Sequence, residues 1–255
     1  PGAIWAAVSP DFGVESTLMR FSQVEPKVLL VTSRVLYNSK VHDNMAKAER
    51  LVADLPSVEK VIVVDFVEGD DESTALAAKH TSWASFVADG AADASPLEFE
   101  PVAFDHPSYI LYSSGTTGPP KSIVHGGGGT VIKHLSEHKY HVDVQREEKF
   151  FYFTSTAWMM WHWLVSGLAS GCTVVLYDGS PFKPSPTAMF DLIDRTGLTI
   201  FGTSAKFIAS VEAAGVVPKD SHKLETLRCI LSTGSVLTPD SFDFVYQSIK
   251  RDVML

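Results

Sequence analysis

The residues best suited to chemistry stand together in Ser113-Ser114-Gly115-Thr116-Thr117-Gly118-Pro119-Pro120-Lys121-Ser122, directly after the apolar run Tyr109-Ile110-Leu111-Tyr112. Glycine lets backbone N–H groups turn toward an anion, hydroxyls add donors, and Lys121 adds a mobile cation. Such a string at the end of a strand suits a polyphosphate. Composition alone does not decide the matter, because Ser, Thr and Gly fill ordinary turns as well. The order of residues narrows it. A Walker-type loop, G-x-x-x-x-G-K-[ST], matches at Gly115 and Lys121-Ser122 but needs glycine where Pro120 stands, and proline removes the backbone donor just ahead of the lysine. The P-loop NTPase reading is set aside.

Two further patterns compete. His125-Gly126-Gly127-Gly128 is similar to the oxyanion string of esterases, whose nucleophile sits in G-x-S-x-G; the nearest match, Gly202-Thr203-Ser204-Ala205-Lys206, ends in lysine where the tight turn needs glycine. His134-Leu135-Ser136-Glu137-His138 fits the zinc pattern H-x-x-E-H, with His141 available one turn on. Short patterns of this kind match by chance. The surrounding stretch, rich in Lys and polar residues, reads as a solvated helix face, and no metal site is assigned.

These residues need elements to position them. Short β-branched and aromatic runs recur at Ile4 to Val8, Val28 to Thr32, Val61 to Asp65, Tyr109 to Ser113, Phe150 to Thr154, Cys172 to Tyr177, Leu198 to Gly202 and Leu227 to Ser232. Helical spacing falls between them, at Val41 to Leu55, Thr130 to Lys139, Pro186 to Asp194 and Ser204 to Ala213, with Ser204 as N-cap. The alternation predicts an α/β fold with largely parallel sheets. From Glu68 to Pro107 the chain is polar and rich in Ala and Asp, with one helical piece around Trp83 to Val87, and reads as a connector. We expect a first βα subdomain over 1–105 and a second over 106–255.

The bulk numbers agree with an enzyme-like domain. At 255 residues and 45% hydrophobic content the chain can bury a sizeable core. A formal charge of −9, with no dense Lys/Arg stripe, argues against nucleic acid as a partner. The only cysteines, Cys172 and Cys229, suit buried reduced thiols better than a disulfide scaffold. No apolar stretch approaches the length of a membrane span. The chain starts abruptly in apolar material at Pro1-Gly2-Ala3-Ile4-Trp5 and stops at Val253-Met254-Leu255, where another buried strand would begin, so we expect a piece of a longer protein, truncated at both ends.

The run Tyr112 to Lys121, YSSGTTGPPK, resembles the signature loop of the adenylate-forming superfamily, which includes acyl-CoA synthetases, luciferases and peptide-synthetase adenylation domains. The resemblance implies that Ser113, Ser114, Gly115, Thr116, Thr117, Gly118 and Lys121 hold the β- and γ-phosphates of ATP. Phe153 to Trp163, FTSTAWMMWHW, is similar to the segment lining the acyl pocket, which implies that role for Trp158, Met159, Met160 and Trp161; an aromatic core helix is the alternative. Leu227 to Pro239 resembles the strand and loop on which adenine packs, with Gly234-Ser235-Val236 in place of the usual G-E-P. Ser9, Pro10, Asp11 and Phe12 match the CoA region of short-chain acyl-CoA synthetases, or form a plain strand-to-helix turn.

Longer runs, GAIWAAVSPDFGVESTLMRFSQVEPKVLL and WMMWHWLVSGLASGCTVVLYDGSP among them, look most similar to the acetoacetyl-CoA synthetase branch of that superfamily. This implies a cytosolic ligase of lipid metabolism that joins acetoacetate to CoA with ATP and Mg2+, through two packed βαβ-type subdomains of the large N-terminal domain with a cleft for ATP and acid. Acetate, propionate or another short acid is the runner-up substrate, and a nucleotide-binding relative without chemistry the alternative function. The bulk of Trp158 to Trp161 favours a short acid. The magnesium-binding glutamate, the ribose-binding aspartate and the catalytic lysine of the mobile C-terminal domain are expected beyond residue 255, so residues 1–255 alone are expected not to turn over.

Overall fold

The computed structural model describes residues 2–67, 80–91, 96, 98–113 and 118–255. The chain divides into two compact units, Pro1–Gly128 and Gly129–Leu255. The first carries, in order, β1 (Trp5–Ala6), α1 (Val14–Phe21), β2 (Val28–Thr32), β3 (Arg34–Tyr37), β4 (Lys40–Asp43), α2 (Met45–Asp54), β5 (Lys60–Val64), β6 (His80–Ser82), α3 (Trp83–Ala91), β7 (Pro107–Tyr112) and β8 (Ser122–Gly126). Helix α4 (Gly127–Tyr140) crosses the division. The second unit continues with β9 (Lys149–Tyr152), α5 (Met159–Ser166), β10 (Thr173–Val174), α6 (Ala188–Thr196), β11 (Ile200–Ser204), α7 (Ala205–Ala213), α8 (Pro218–Ser221), β12 (Cys229–Thr233) and α9 (Pro239–Phe244). Helices alternating with parallel strands make this an α/β chain.

In the first unit β2, β5 and β6 pair in parallel. Leu29, Val61 and Val63 from that sheet meet Phe21 of α1 and Ala48 and Leu51 of α2 in one apolar core. Burial of this kind, about 25 cal/mol per Å2 of apolar surface, is what fixes short helices that are marginal alone. The predicted helix over Val41 to Leu55 begins only at Met45. Its first residues form β4, antiparallel to β3, because Asn38 and Ser39 both take positive φ (50° and 64°), the geometry of a two-residue hairpin turn. Asp43 then accepts a hydrogen bond from Met45 N at 2.8 Å, at the start of α2.

A separate sheet has the order β1-β7-β8, with β7 parallel to β1 and antiparallel to β8. Since β7 and β8 are hydrogen-bonded into that sheet, the packing division falls after β8, whereas the sequence places a boundary at 105/106. Of the expected connector, the helical piece is present as α3, and residues 68–79, 92–95 and 97 lie outside the described residues.

The second unit is built on the sheet β10-β9-β11-β12, parallel throughout. Phe151, Phe201 and Ile230 bury one face against α6 and α7, through Met189, Phe190, Ile193, Phe207 and Ile208. The other face, with Phe150, Tyr152 and Ile200, packs on Trp163 and Leu164 of α5. Strands covered on both faces explain the continuous apolar runs in the sequence. Both cysteines are free and buried in this second layer. Among the described residues no helix is long and apolar enough to cross a membrane.

Candidate functional site

The hydroxyl- and glycine-rich string is the connection between β7 and β8. The antiparallel ladder ends at Tyr112↔Ser122, and one further hydrogen bond, Ser113 N to Lys121 O at 3.0 Å, closes the neck. A strand follows the loop where a Walker loop would be followed by a helix, in agreement with the rejection drawn from Pro120. Ser114, Gly115, Thr116 and Thr117 lie outside the described residues. Gly118 and Lys121 are exposed, Ser113 is half-buried and Pro120 is buried. Among the described residues Lys121 has no carboxylate partner. Tyr112, at the end of β7, has its hydroxyl pushed up to about 12 by burial, with Arg20 pulling the other way, and stays neutral.

Ser9, Pro10, Asp11 and Phe12 form a turn between β1 and α1, closed by Phe12 N to Ser9 O at 3.1 Å. Two cations hold it. Lys47 Nζ donates to Pro10 O at 2.5 Å, and the Arg20 guanidinium lies 4.8 Å from the centre of the Phe12 ring. Burial lowers the Lys47 pKa, with the Asp11 charge opposing.

In the second unit three parallel strands deliver three of the singled-out segments to one edge of the sheet, the carboxyl end, where open α/β sheets bind ligands. After β9 comes the aromatic segment, with Trp158 57% exposed at the N-cap of α5 and Met159, Met160 and Trp161 half-buried. Trp163 and Leu164, lower on the same helix, are core. The segment thus has a buried end, which is core, and an accessible end. After β12 comes Gly234, at φ +88°, a left-handed turn that favours glycine, followed by exposed Ser235 and by Val236, 87% exposed. The loop ends at the N-cap of α9, where the Thr238 side chain accepts from Ser241 N.

Strand β11 ends at Ser204. Its Oγ accepts from Phe207 N at 3.2 Å as the predicted N-cap of α7. Gly202 has a packing reason: a Cβ there would lie 2.1 Å from the ring of Tyr152, whose hydroxyl donates to Thr203 O at 2.9 Å. The matching oxyanion donors are also occupied, since Gly127 N bonds His106 O and Gly128 N bonds Phe104 O, each at 2.9 Å. Each part of the esterase pattern is thus accounted for by folding.

The H-x-x-E-H stretch corrects the sequence reading in another way. His134 and His138 are not on a solvated face; both are buried, because their i, i+4 spacing puts them on the inward side of α4. His138 packs edge-on against Phe150 and Trp163. His134 Nδ1 pairs with Ser166 Oγ at 2.9 Å, and Trp163 Nε1 donates to Glu137 Oε2 at 3.0 Å. These bonds lock α5 to α4. Among the described residues no group of three or more His, Cys, Asp or Glu side chains converges to hold a metal ion.

The buried pair has a pH consequence. Burial first, and the neighbouring His134 second, push the His138 pKa down to about 4. An unfolded histidine titrates near about 6.5, so as pH falls the unfolded chain takes up this proton before the folded one does. Stability tied to neutral His138 is whole above about pH 6.5 and is lost progressively toward pH 4. We expect urea unfolding of the intact protein to show a loss of about 2 kcal/mol between pH 7 and pH 5 from this group. The slope should flatten in His138→Phe; an unchanged slope would contradict the assignment.

With this geometry in place, comparison with known proteins decides the family. The model of the family described as AMP-binding enzyme matches residues 1–254. The chain belongs to the AMP-binding enzymes. Among its relatives, the acetoacetyl-CoA synthetase of Danio rerio is 47% identical over the whole of this chain, which covers 38% of that protein. The acetoacetyl-coenzyme A synthetase of Rhizobium meliloti (strain 1021) is 45% identical, again with 38% of its length covered. The malonamoyl-CoA synthetase vrtB of Penicillium aethiopicum is 43% identical with the same coverage. The solved acetoacetyl-CoA synthetase from Streptomyces lividans superposes with a TM-score of 0.88 at 39% identity, over 99% of this chain and 38% of that one. The AMP-binding chain described here thus spans well under half of the length of each relative.

Proposed function

We propose that the whole protein containing this chain ligates acetoacetate to CoA, forming acetoacetyl-AMP from ATP and then acetoacetyl-CoA, AMP and pyrophosphate. One observation carries the reading. The hydroxyl-, glycine- and lysine-containing connection of a β hairpin, closed at its neck by Ser113 N to Lys121 O, belongs to an AMP-binding enzyme whose relatives across the full chain include acetoacetyl-CoA synthetases. ATP and CoA are the cosubstrates in this reading, and the setting is cytosolic. Magnesium is the expected companion of ATP in this reading, and none of residues 1–255 is assigned to hold it.

In the first step an acetoacetate carboxylate oxygen attacks the α-phosphorus, and the bond to the β-phosphate bridging oxygen breaks, releasing pyrophosphate. Holding both reactants in one site lowers such a barrier by about 7 to 11 kcal/mol. Ser113, Gly118 and Lys121, with Ser114 to Thr117, are assigned to the leaving phosphates, where donors and positive charge favour the separating anion. Adenine rests on Gly234, Ser235 and Val236, and the acyl chain on Trp158, Met159, Met160 and Trp161. In the second step the CoA thiol, brought in along Ser9 to Phe12, attacks the acyl carbonyl and AMP leaves.

The acyl groups named in the relatives, acetoacetyl and malonamoyl, both carry a second carbonyl two bonds from the activated one and differ by methyl against amino. That shared shape favours a short 3-carbonyl acid over acetate or propionate. The test is thioester formation by the intact protein, with AMP quantified alongside. Acetoacetyl-CoA and AMP in equal amounts are expected, with acetate and propionate turned over far more slowly. A preference for acetate would overturn the substrate assignment.

A further inference from the structure

Lys121 is bracketed by a side chain that the sequence patterns do not single out. Gln23 follows α1, and its amide nitrogen donates to Met19 O at 2.6 Å and to Pro120 O at 2.9 Å. Its Oε1 accepts from Ser122 Oγ at 2.9 Å. The amide orientation is fixed by these partners, since two backbone carbonyls must face N–H donors and the hydroxyl is then left to the oxygen. Gln23 therefore grips the residue on each side of Lys121, while the Lys121 carbonyl accepts from Ser113 N at 3.0 Å. Two hydrogen bonds to backbone carbonyls and one from the Ser122 hydroxyl thus hold the stretch that carries a lysine free of any carboxylate partner among the described residues.

We propose that Gln23 is a positioning residue for Lys121: by tying Pro120 and Ser122 to the end of α1 it holds the lysine where the triphosphate of ATP meets it. This rests on the reading of the Ser113 to Lys121 loop given under Proposed function. The physical basis is pre-organisation. A long, flexible lysine reaches a phosphate with less loss of entropy when its backbone is already fixed, so loss of the clamp weakens ATP binding and leaves the acid untouched.

The experiment uses the intact protein and the exchange of labelled pyrophosphate into ATP driven by acetoacetate. Gln23→Met keeps the length of the side chain and removes its hydrogen bonds; KM for ATP should rise about tenfold, with KM for acetoacetate and the unfolding midpoint nearly unchanged. Ser122→Ala should raise KM for ATP by a smaller factor. The two substitutions together should do little more than Gln23→Met alone, because they remove one shared bond. Amide hydrogen exchange of Ser113 without nucleotide gives a readout that does not depend on catalysis, and protection there should fall in Gln23→Met. If the unsubstituted protein exchanges pyrophosphate and Gln23→Met leaves KM for ATP unchanged, the proposal is wrong. It is equally wrong if both KM values rise together with a lowered midpoint, the mark of a merely structural residue. If Ser113 loses protection but the unsubstituted protein exchanges pyrophosphate with no acid, the clamp is real, the functional reading fails, and the ATP role of Gln23 fails with it.

Discussion

Arg228→Ala is expected to destabilise the second unit by about 2 to 3 kcal/mol, less than breaking a fully buried ion pair costs, because Glu148 is buried but the Arg228 side chain is 35% exposed and partly screened by water. Glu148 is only 8% exposed, and it pairs with Arg228 through Nε to Oε1 and Nη2 to Oε2. The same guanidinium donates to Val142 O at 3.1 Å and Asp143 O at 2.8 Å, so four acceptors depend on it. Burial pushes the Glu148 pKa up, yet the hydrogen bonds from Arg228 and from Gln145 N outweigh it and hold the carboxyl below its ordinary value. Without Arg228 only the upward push and the weaker bonds remain. The Glu148 pKa therefore rises relative to the unsubstituted protein, and the stability that ionised Glu148 contributes at neutral pH and loses on acidification should shrink in the variant. Urea unfolding of the variant checks this, with Arg228→Met/Glu148→Leu as the control that removes both charges. That double variant should recover much of the loss. A loss below about 1 kcal/mol in Arg228→Ala would show that the pair does not anchor this layer. The site is involved too, since β12 starts at the next residue and ends at Thr233, just before Gly234.

Lys121→Ala should reduce acetoacetate-dependent pyrophosphate exchange by about 100-fold or more, the scale on which one charge-stabilising group is worth to a reaction that releases an anion. Lys121→Arg keeps the charge but replaces a compact ammonium by a wider planar fork, and should retain part of the rate. Saturating ATP should not restore Lys121→Ala, which separates it from the Gln23 variants, where the defect is in affinity. An exchange rate within threefold of the unsubstituted protein would remove Lys121 from the chemistry.

Much of the strand pattern can be read from the chain, and the reasons are visible in particular elements. The run Val28 to Thr32 forms β2 over those same residues, and Ser204 caps α7, because a continuous β-branched run and a serine ahead of an amphipathic stretch have local causes. The merged helix over Val41 to Leu55 went astray where a two-residue turn at Asn38-Ser39 outweighed helical spacing, a signal that Asn-Ser carries less clearly than Asn-Gly. Strand β8 was missed because Ile123 and Val124 are both exposed and give no alternation. His134 and His138 read as solvated because polarity masks their inward spacing; only the aromatic partners Phe150 and Trp163 reveal it.

The candidate site was legible in its loops and illegible in their supports. The signature string, the aromatic segment and Gly234-Ser235-Val236 announce themselves as short ordered patterns. The side chains that brace them do so through partners far along the chain: Gln23 reaches Pro120 across 97 positions, and Arg228 reaches Glu148 across 80. No spacing rule links a glutamine to a backbone carbonyl at that separation, so such residues emerge only from coordinates.

The central claim is that acid and ATP react to give an acyl-adenylate with pyrophosphate as the leaving group. Incubating the intact protein with ATP, labelled pyrophosphate and acetoacetate, in the absence of CoA, tests it most directly. Label should enter ATP only when the acid is present, since reversal of the first step requires the adenylate. Binding of ATP with no acid-dependent label, for acetoacetate and every other short acid tried, would contradict the account.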